Sequence, residues 1–317
     1  MSSKQSTIGV LGPSGMGGSH ITVELLHRGH KVVGISRNPG SIGSHPRYEP
    51  RSVDIDKGSI DDLSLAFTGL DVVINAYGPH SSGASAMKYE PYVEGTRKII
   101  LATKKAKVGY LLMIGGCGSL YLPGTQICAV DSSEFWSAYY RSMVDSYAQL
   151  TYVEKRFNGG AELQNLRAYR SARIALREGR DTPEAKFVRE DHERKNREND
   201  FAKSLITACR TCFLFFDGNS SFDWTFLSPP AAYRSGTRTG KYEAMLDYVP
   251  LKGDPKSSKD LEGRFRGIST WDLAVAVADE AENRKYKDKH WTVFAEMDDN
   301  APAPAPYIDL SCSIGLQ

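Results

Sequence analysis

The sequence predicts an α/β protein built on a doubly wound parallel sheet, and three observations predict it. The first is the stretch GVLGPSGMGG, residues 9–18, in which Gly12, Gly15 and Gly18 form a G-x-x-G-x-x-G turn. An apolar run, Ile8 to Leu11, precedes that turn, and a helical pattern from about Ser19 to His27 follows it. The second is another apolar strand, Lys31 to Ser36, arriving one helix later. The third is the alternation of continuous apolar runs with helical patterns over the first 130 residues. Strands that read as unbroken apolar runs are buried on both faces, as in a parallel sheet covered by helices.

Each element follows in turn. After the second strand comes a loop rich in Gly, Pro and Ser, residues 38–50, and then a short strand expected near Arg51 to Ile55. A helix is expected over Ile60 to Phe67, a strand over Asp71 to Ala76 and a helix from roughly Pro91 to Lys105. The strand Tyr110 to Ile114 ends in Gly115-Gly116-Cys117-Gly118-Ser119. Right-handed crossovers between such strands give a Rossmann sheet, whose ligands bind at the carboxyl ends of the strands. Gly12, Arg37, Asp54, Asn75 and Gly115 fall at those ends.

Residues 131–215 are helix-forming, charge-rich and almost free of strand patterns. Arg167 to Arg197 mixes both signs densely, which fits a solvated helix pair. Phe201, Leu205, Ile206, Cys209, Phe213 and Phe216 recur near helical period and are expected to dock on the sheet; a homodimer contact through this segment is the alternative. Alternation returns at Phe222 to Leu227, a sixth strand ending in Ser228-Pro229-Pro230-Ala231. A loop at 252–263, a helix over Ile268 to Ala278 with a Ser/Thr cap and a last strand, His290 to Phe294, complete the pattern. The tail, Asp298 to Gln317, contains Ala-Pro-Ala-Pro-Ala-Pro and is expected to be extended or loosely ordered. The chain thus divides into a core (1–130), a helical insertion (131–215), the rest of the core with a small cap (216–297) and the tail (298–317).

With 317 residues, 40% of them apolar and a net charge of +2, the chain is an ordinary globular protein with no electrostatic case for nucleic acid or an anionic membrane. No run approaches the roughly 18 apolar residues of a membrane span. The five scattered cysteines fit a reducing compartment, and a cytoplasmic location is expected. Cys209 and Cys212 have no second pair at zinc-finger spacing, so no metal site is expected.

The glycine turn carries the chemistry. Backbone N–H groups and a helix N-terminus there can approach a dinucleotide pyrophosphate, and a Cβ would hold the phosphates off. The second strand ends in Ser36-Arg37-Asn38, where a site preferring NAD carries an acidic residue for the ribose 2′-hydroxyl. An arginine at that place suits a 2′-phosphate, so NADP(H) is expected over NAD(H).

Several segments together resemble the atypical short-chain dehydrogenases of the NmrA-like, NAD(P)-binding type: GVLGPSGMGG, ISRNP, VDID, VINAYGP, LLMIGGCGSL, DWTFLSPPA, RTGKY and ISTWDLAVAVADE. The resemblance covers roughly 1–130 and 220–296 and implies a Rossmann fold with a small C-terminal substrate cap. It implies that Gly12, Ser14, Gly15, Met16 and Gly18 hold the pyrophosphate and Arg37 the 2′-phosphate. Asp54 and Ile55 would flank the adenine, and Ala76, Tyr77 and Gly78 would line the ribose. Gly115 and Gly116 would lie near the nicotinamide ribose, with Pro229 and Ala231 near the nicotinamide.

The family's usual proton donor is a tyrosine followed four residues on by a lysine, and that pair is absent here. Only Tyr152 and Arg156 keep a cation at the spacing, and an amphipathic helix surface is the better reading of them. Other candidates are Ser119 just past the fifth strand, Tyr139 and Tyr140 in the aromatic patch FWSAYY, and His80 after the fourth strand. Three functions remain open. One is an NADPH-dependent reductase of a bulky aromatic or polycyclic small molecule, by analogy from secondary metabolism. Another is an NADP-binding isomerase, epimerase or cyclase. The third is a non-enzymatic redox sensor of the NmrA-like kind. Whether residues 131–215 fold over the cofactor cleft discriminates between them.

Overall fold

The computed structural model describes residues 5–78, 89–157, 165–198 and 200–312. Its strands are β1 (Thr7–Leu11), β2 (Lys31–Ser36), β3 (Tyr48–Ser52), β4 (Val72–Asn75), β5 (Leu111–Ile114), β6 (Trp224–Leu227), β7 (Ala232–Arg234), β8 (Glu243–Leu246), β9 (Gly267–Ser269) and β10 (His290–Phe294). Its helices are α1 (Met16–His27), α2 (Ile60–Ala66), α3 (Tyr89–Lys105), α4 (Ser133–Ser142), α5 (Tyr147–Phe157), α6 (Leu166–Arg177), α7 (Pro183–Glu198), α8 (Asp200–Phe213) and α9 (Thr270–Asn283).

Eight strands form one sheet in the order β3-β2-β1-β4-β5-β6-β10-β8, parallel except for the edge strand β8. The first six places are the doubly wound Rossmann order. The change of direction falls between β1 and β4, which pair from Ile8↔Val72 to Leu11↔Asn75. The strands bury both faces because helices cover both. Ile8, Val10, Val32 and Leu112 pack with Ile21, Leu25, Leu273 and Val277 of α1 and α9. Leu11, Val33, Leu111 and Met113 pack with Leu63, Ile99, Ala208 and Phe213 of α2, α3 and α8.

Two elements differ from their expected places. The third strand is Tyr48–Ser52, three residues earlier than Arg51 to Ile55. It is a polar edge strand, held by its register with β2 from Val32↔Tyr48 to Ser36↔Ser52, so hydrophobic pattern does not mark it. The last helix of the insertion, α8, belongs to the core. Its Ala208, Cys209, Cys212 and Phe213 are buried with Phe226 under the sheet, as the apolar stripe predicts; the Phe201 side chain lies outside the described residues.

The short strands β7 and β9 pair in parallel outside the main sheet, Ala232↔Gly267 to Arg234↔Ser269. One face carries Tyr233 and Ile268 and packs on the α1 and α9 side of the core. The insertion lies over this region. Leu150, Tyr152 and Val153 of α5 and Leu166 and Tyr169 of α6 bury Met16 at the start of α1. No residue of α7 is buried, which is the solvated member of the expected pair. The tail is extended, as expected, and it is fastened along its length. The Ala303 amide donates to Thr151 Oγ1 at 2.9 Å, Ser235 Oγ donates to the Pro304 carbonyl at 2.9 Å, and the Leu310 amide donates to the Ile42 carbonyl at 2.8 Å. Among the described residues no helix is long and apolar enough to cross a membrane.

Candidate active site: a glycine turn roofed by tyrosines

The site begins with the glycine turn. Gly12 has φ +73°, which glycine adopts without strain. A Cβ on Gly18 would stand 2.0 Å from the Gly12 carbonyl oxygen, so α1 can meet β1 this closely only through glycine. Gly15 is the N-cap of α1 and offers no side-chain cap, and the first turn holds no acidic residue. The N–H groups of that turn therefore keep their positive end for an external anion. A Cβ on Gly15 would meet nothing within 4 Å except the Gly12 carbonyl oxygen, at 3.2 Å. Beside it, the buried hydroxyl of Tyr233 has no hydrogen-bond partner among the described residues, and a Cβ on Gly17 would lie 2.9 Å from it. A buried donor without an acceptor next to an uncapped helix start fits a pyrophosphate.

Arg37 is exposed just past β2; its backbone carbonyl accepts from Ser52 Oγ at 3.0 Å, and among the described residues its guanidinium makes no ion pair. Asp54 forms a turn, its Oδ1 accepting the amides of Asp56 and Lys57 at 3.0 and 3.2 Å. Ile55 is buried in the sheet core. Tyr77 donates to the Asp56 carboxylate, and burial followed by that bond holds its phenol above the ordinary range. Ala76 and Tyr77 are half-buried against the glycine turn, where a Cβ on Gly12 would stand 3.1 Å from the Ala76 carbonyl oxygen and 3.3 Å from the Tyr77 Cα; Ser14 is half-buried and Gly78 exposed. Gly115 is pinned against Phe226, whose ring would stand 2.2 Å from a Cβ there, and Gly116 lies against Cys209. Pro229 and Ala231 are buried at the end of β6. His80 lies outside the described residues.

Ser119 does not face a cleft. It is fully buried and donates to the Gly116 carbonyl at 2.7 Å. Its oxygen lies 2.7 Å from Ser228 Oγ, which lies 2.8 Å from His290 Nε2. His290 Nδ1 stands 3.4 Å from Asp247 Oδ1 without a hydrogen bond. Proton counting explains that gap. Four links join the Gly116 carbonyl to the Asp247 carboxylate, and two hydroxyls with a neutral imidazole supply three protons. With Nε2 protonated, the chain runs His290 to Ser228 to Ser119 to Gly116, and the link to Asp247 is the one left open. Burial, the largest influence, keeps the imidazole pKa below its ordinary value, in keeping with this neutral form; Arg210 adds to the lowering, while Asp247 and Asp217 oppose it. The Ser119 proton is thus taken by a carbonyl, and this residue is a brace between the ends of β5 and β6.

The tyrosines make the roof. Tyr139 and Tyr140 belong to a ring cluster with Phe135 and Trp136, in which Trp136 and Tyr140 stack at 5.8 Å and Phe265 meets Phe135 at 5.5 Å. Burial pushes the Tyr139 hydroxyl well above its usual pKa, with Cys117, Tyr152, Tyr140 and Cys209 adding to the rise. Those neighbours put Tyr139 over the end of β5. Tyr152 is buried, and its hydroxyl donates to Met16 Sδ in the glycine turn at 2.9 Å. Burial raises its phenol to about 12, against the opposing charge of Arg156. Burial in turn opposes the Arg156 charge, and Tyr152, Tyr307, Tyr233 and Tyr139 more than offset it. Arg156 Nη1 also donates to Tyr307 at 3.2 Å. Sequence reasoning leaves Tyr152 and Arg156 as a helix surface and does not find Tyr233 or Tyr307. The one available signal is the four-residue spacing of Tyr152 and Arg156.

The sheet order and the glycine turn are those of a dinucleotide-binding fold, and comparison with known proteins agrees. Residues 12–157 match a family model described as NAD(P)H-binding. The chain is 27% identical over 295 residues to the uncharacterized protein YwnB of Bacillus subtilis (strain 168), covering 92% of this chain and 99% of that one. It is 30% identical over 147 residues to cinnamoyl-CoA reductase 2 of Medicago truncatula, 43% of each chain. A structure from Bacteroides thetaiotaomicron, carried under the provisional name of an epimerase, shares the fold with a TM-score of 0.63 at 23% identity, over 93% of this chain and 99% of that one. The chain thus has a Rossmann fold, and its residues 12–157 form an NAD(P)H-binding domain.

Proposed function

We propose that the protein is an NADP(H)-dependent reductase of a bulky aromatic or polycyclic carbonyl compound. The observation that carries this reading is the closure of α5 over the glycine turn, which sets the Tyr152 hydroxyl on Met16 with Arg156 one turn further along the helix. Gly12, Ser14, Gly15, Met16 and Gly18 would hold the pyrophosphate, with Tyr233 as an added donor, and Arg37 would take the 2′-phosphate. A bound NADPH supplies the hydride. Tyr152 supplies the proton: at neutral pH its phenol is protonated, and the Met16 sulfur is a weak acceptor that a developing substrate oxyanion outcompetes. Arg156 lowers the cost of the phenolate left behind, the part a lysine has in the family's usual pair. The rings of Phe135, Trp136, Tyr139 and Tyr140 favour a flat apolar substrate.

The test is calorimetric titration with NADPH, NADP, NADH and NAD, followed by NADPH oxidation with a panel of aromatic aldehydes and ketones. Binding that depends on the 2′-phosphate, with turnover of at least one carbonyl, is expected. Tight binding of both redox forms without any NADPH oxidation would favour the isomerase or sensor reading, and absence of binding would overturn the proposal.

A further inference from the structure

We infer that the protein has a second small-molecule site, separate from the glycine turn, for a polar metabolite bearing a carboxylate or phosphate group and a hydroxyl. It is a cavity of about 680 Å³ between the outer face of the β7/β9 sheet and the insertion. That volume is in the range of small-ligand sites. Side chains alternate along a strand, so β7 is a shared wall. Tyr233 faces the glycine turn, while Ala232 and Arg234 face the cavity.

Two buried groups there lack partners of opposite kinds. Arg234 is 2% exposed, and its guanidinium donates to the Asp298 carbonyl at 2.7 Å and to Asp299 Oδ1 at 2.9 Å. Its Nε has no acceptor among the described residues. Gln149 is 5% exposed, and its Oε1 has no donor among them. Leaving such buried atoms unmet is costly, so a ligand that meets both is favoured. The carboxylates on the lining are already paired: Asp145 and Glu262 with Arg173 and Arg177, Glu296 with Arg266 and Asp299 with Arg234. Among the described residues Arg170 donates to the carbonyls of Val144 and Asp145 and to no carboxylate. Lys252 has no carboxylate within ion-pair distance among the described residues, and both Arg170 and Lys252 line the cavity. An anionic group in a cavity that these two cations also line would supply the acceptor that Arg234 Nε lacks, and a hydroxyl the donor that Gln149 Oε1 lacks. A small hydroxy acid or a phosphorylated polyol has both groups. This site goes beyond the reductase reading and does not depend on it.

The test uses the full chain, titrated calorimetrically with malate, with inorganic phosphate and with glycerol, at constant ionic strength. Saturable binding of malate or phosphate, and none of glycerol, is expected; the tighter of the two anions tells a carboxylate ligand from a phosphate one. Because Arg234 also ties down the tail, the variants are Gln149→Leu and Lys252→Met. Each should weaken anion binding by about tenfold, the loss of one charge-assisted or buried hydrogen bond, with NADPH affinity unchanged. Anion binding that neither variant alters, or no binding of either anion, would overturn the site whatever the outcome with NADPH.

Discussion

A methyl group on Gly18 would overlap the Gly12 carbonyl, so Gly18→Ala must either push α1 off β1 or fail to fold. Gly18→Ala is expected to lower the melting temperature and abolish nucleotide binding together, as scanning calorimetry and titration would show. Arg37→Ala separates cofactor choice from fold, because its exposed side chain supports no packing. It should weaken NADP(H) by roughly 1–3 kcal/mol and leave NAD(H) unchanged in calorimetric titration. Equal loss for both cofactors would remove Arg37 from the site. Tyr152→Phe keeps the buried ring and removes the proton. The expected result is a fall in kcat of about 10²–10⁴-fold with cofactor affinity retained, the usual contribution of a positioned acid. An unchanged kcat would hand the role to Tyr139.

At the scale of elements, α1 is held at its site-forming end by a buried histidine. His20 Nδ1 lies 2.7 Å from the Met16 carbonyl and Nε2 3.0 Å from Thr270 Oγ1 of α9, with the Trp271 ring edge-on at 4.8 Å. Burial lowers its pKa from 6.5 to about 4, the bond to Met16 opposing. The unfolded chain therefore takes up this proton first, and stability is lost as the pH falls from about 6.5 to about 4, by about 3 kcal/mol. Buried His290 adds in the same direction. Urea unfolding from pH 7.5 to 4.5 should show this decline, reduced in His20→Gln. A flat profile would mean that the buried imidazole is not neutral.

The same scale shows which elements are legible in sequence. Strands β1, β2, β6 and β10 lie inside the sheet and are apolar enough to be read, and the glycine turn is fixed by sterics that only one residue type meets. The three- and four-residue strands β7, β8 and β9 have too few positions for a period of two to register, so these strands are missed, although the family resemblance implies a cap in this region. Tyr152 and Arg156 carry the right spacing, yet their burial comes from Met16, Tyr233 and Tyr307, which are distant in sequence. Ser119 shows the converse case, a hydroxyl in the right place along the chain whose proton is claimed by Gly116.

For the whole molecule, the insertion and the tail act as one covering. The tail runs from Arg234 past Thr151 and Lys155 of α5 to Ile42, beyond the end of β2. Ending the chain after residue 297 would unfasten α5 from outside while leaving the sheet whole. The expected outcome is a modest drop in melting temperature with a larger loss of NADPH affinity; a large thermal loss with unchanged affinity would make the tail a fold element only.

Strand β7 sets a constraint of another sort. Its two sides serve different chambers, with a tyrosine toward one and an arginine toward the other. Inserting or deleting a single residue between Leu227 and Ala232 would exchange these sides, placing a guanidinium over the nucleotide turn and a phenol among the cations. The length of the Ser228-Pro229-Pro230-Ala231 connection is therefore a spacing device. Descendants of this sequence can vary its residues far more freely than their number.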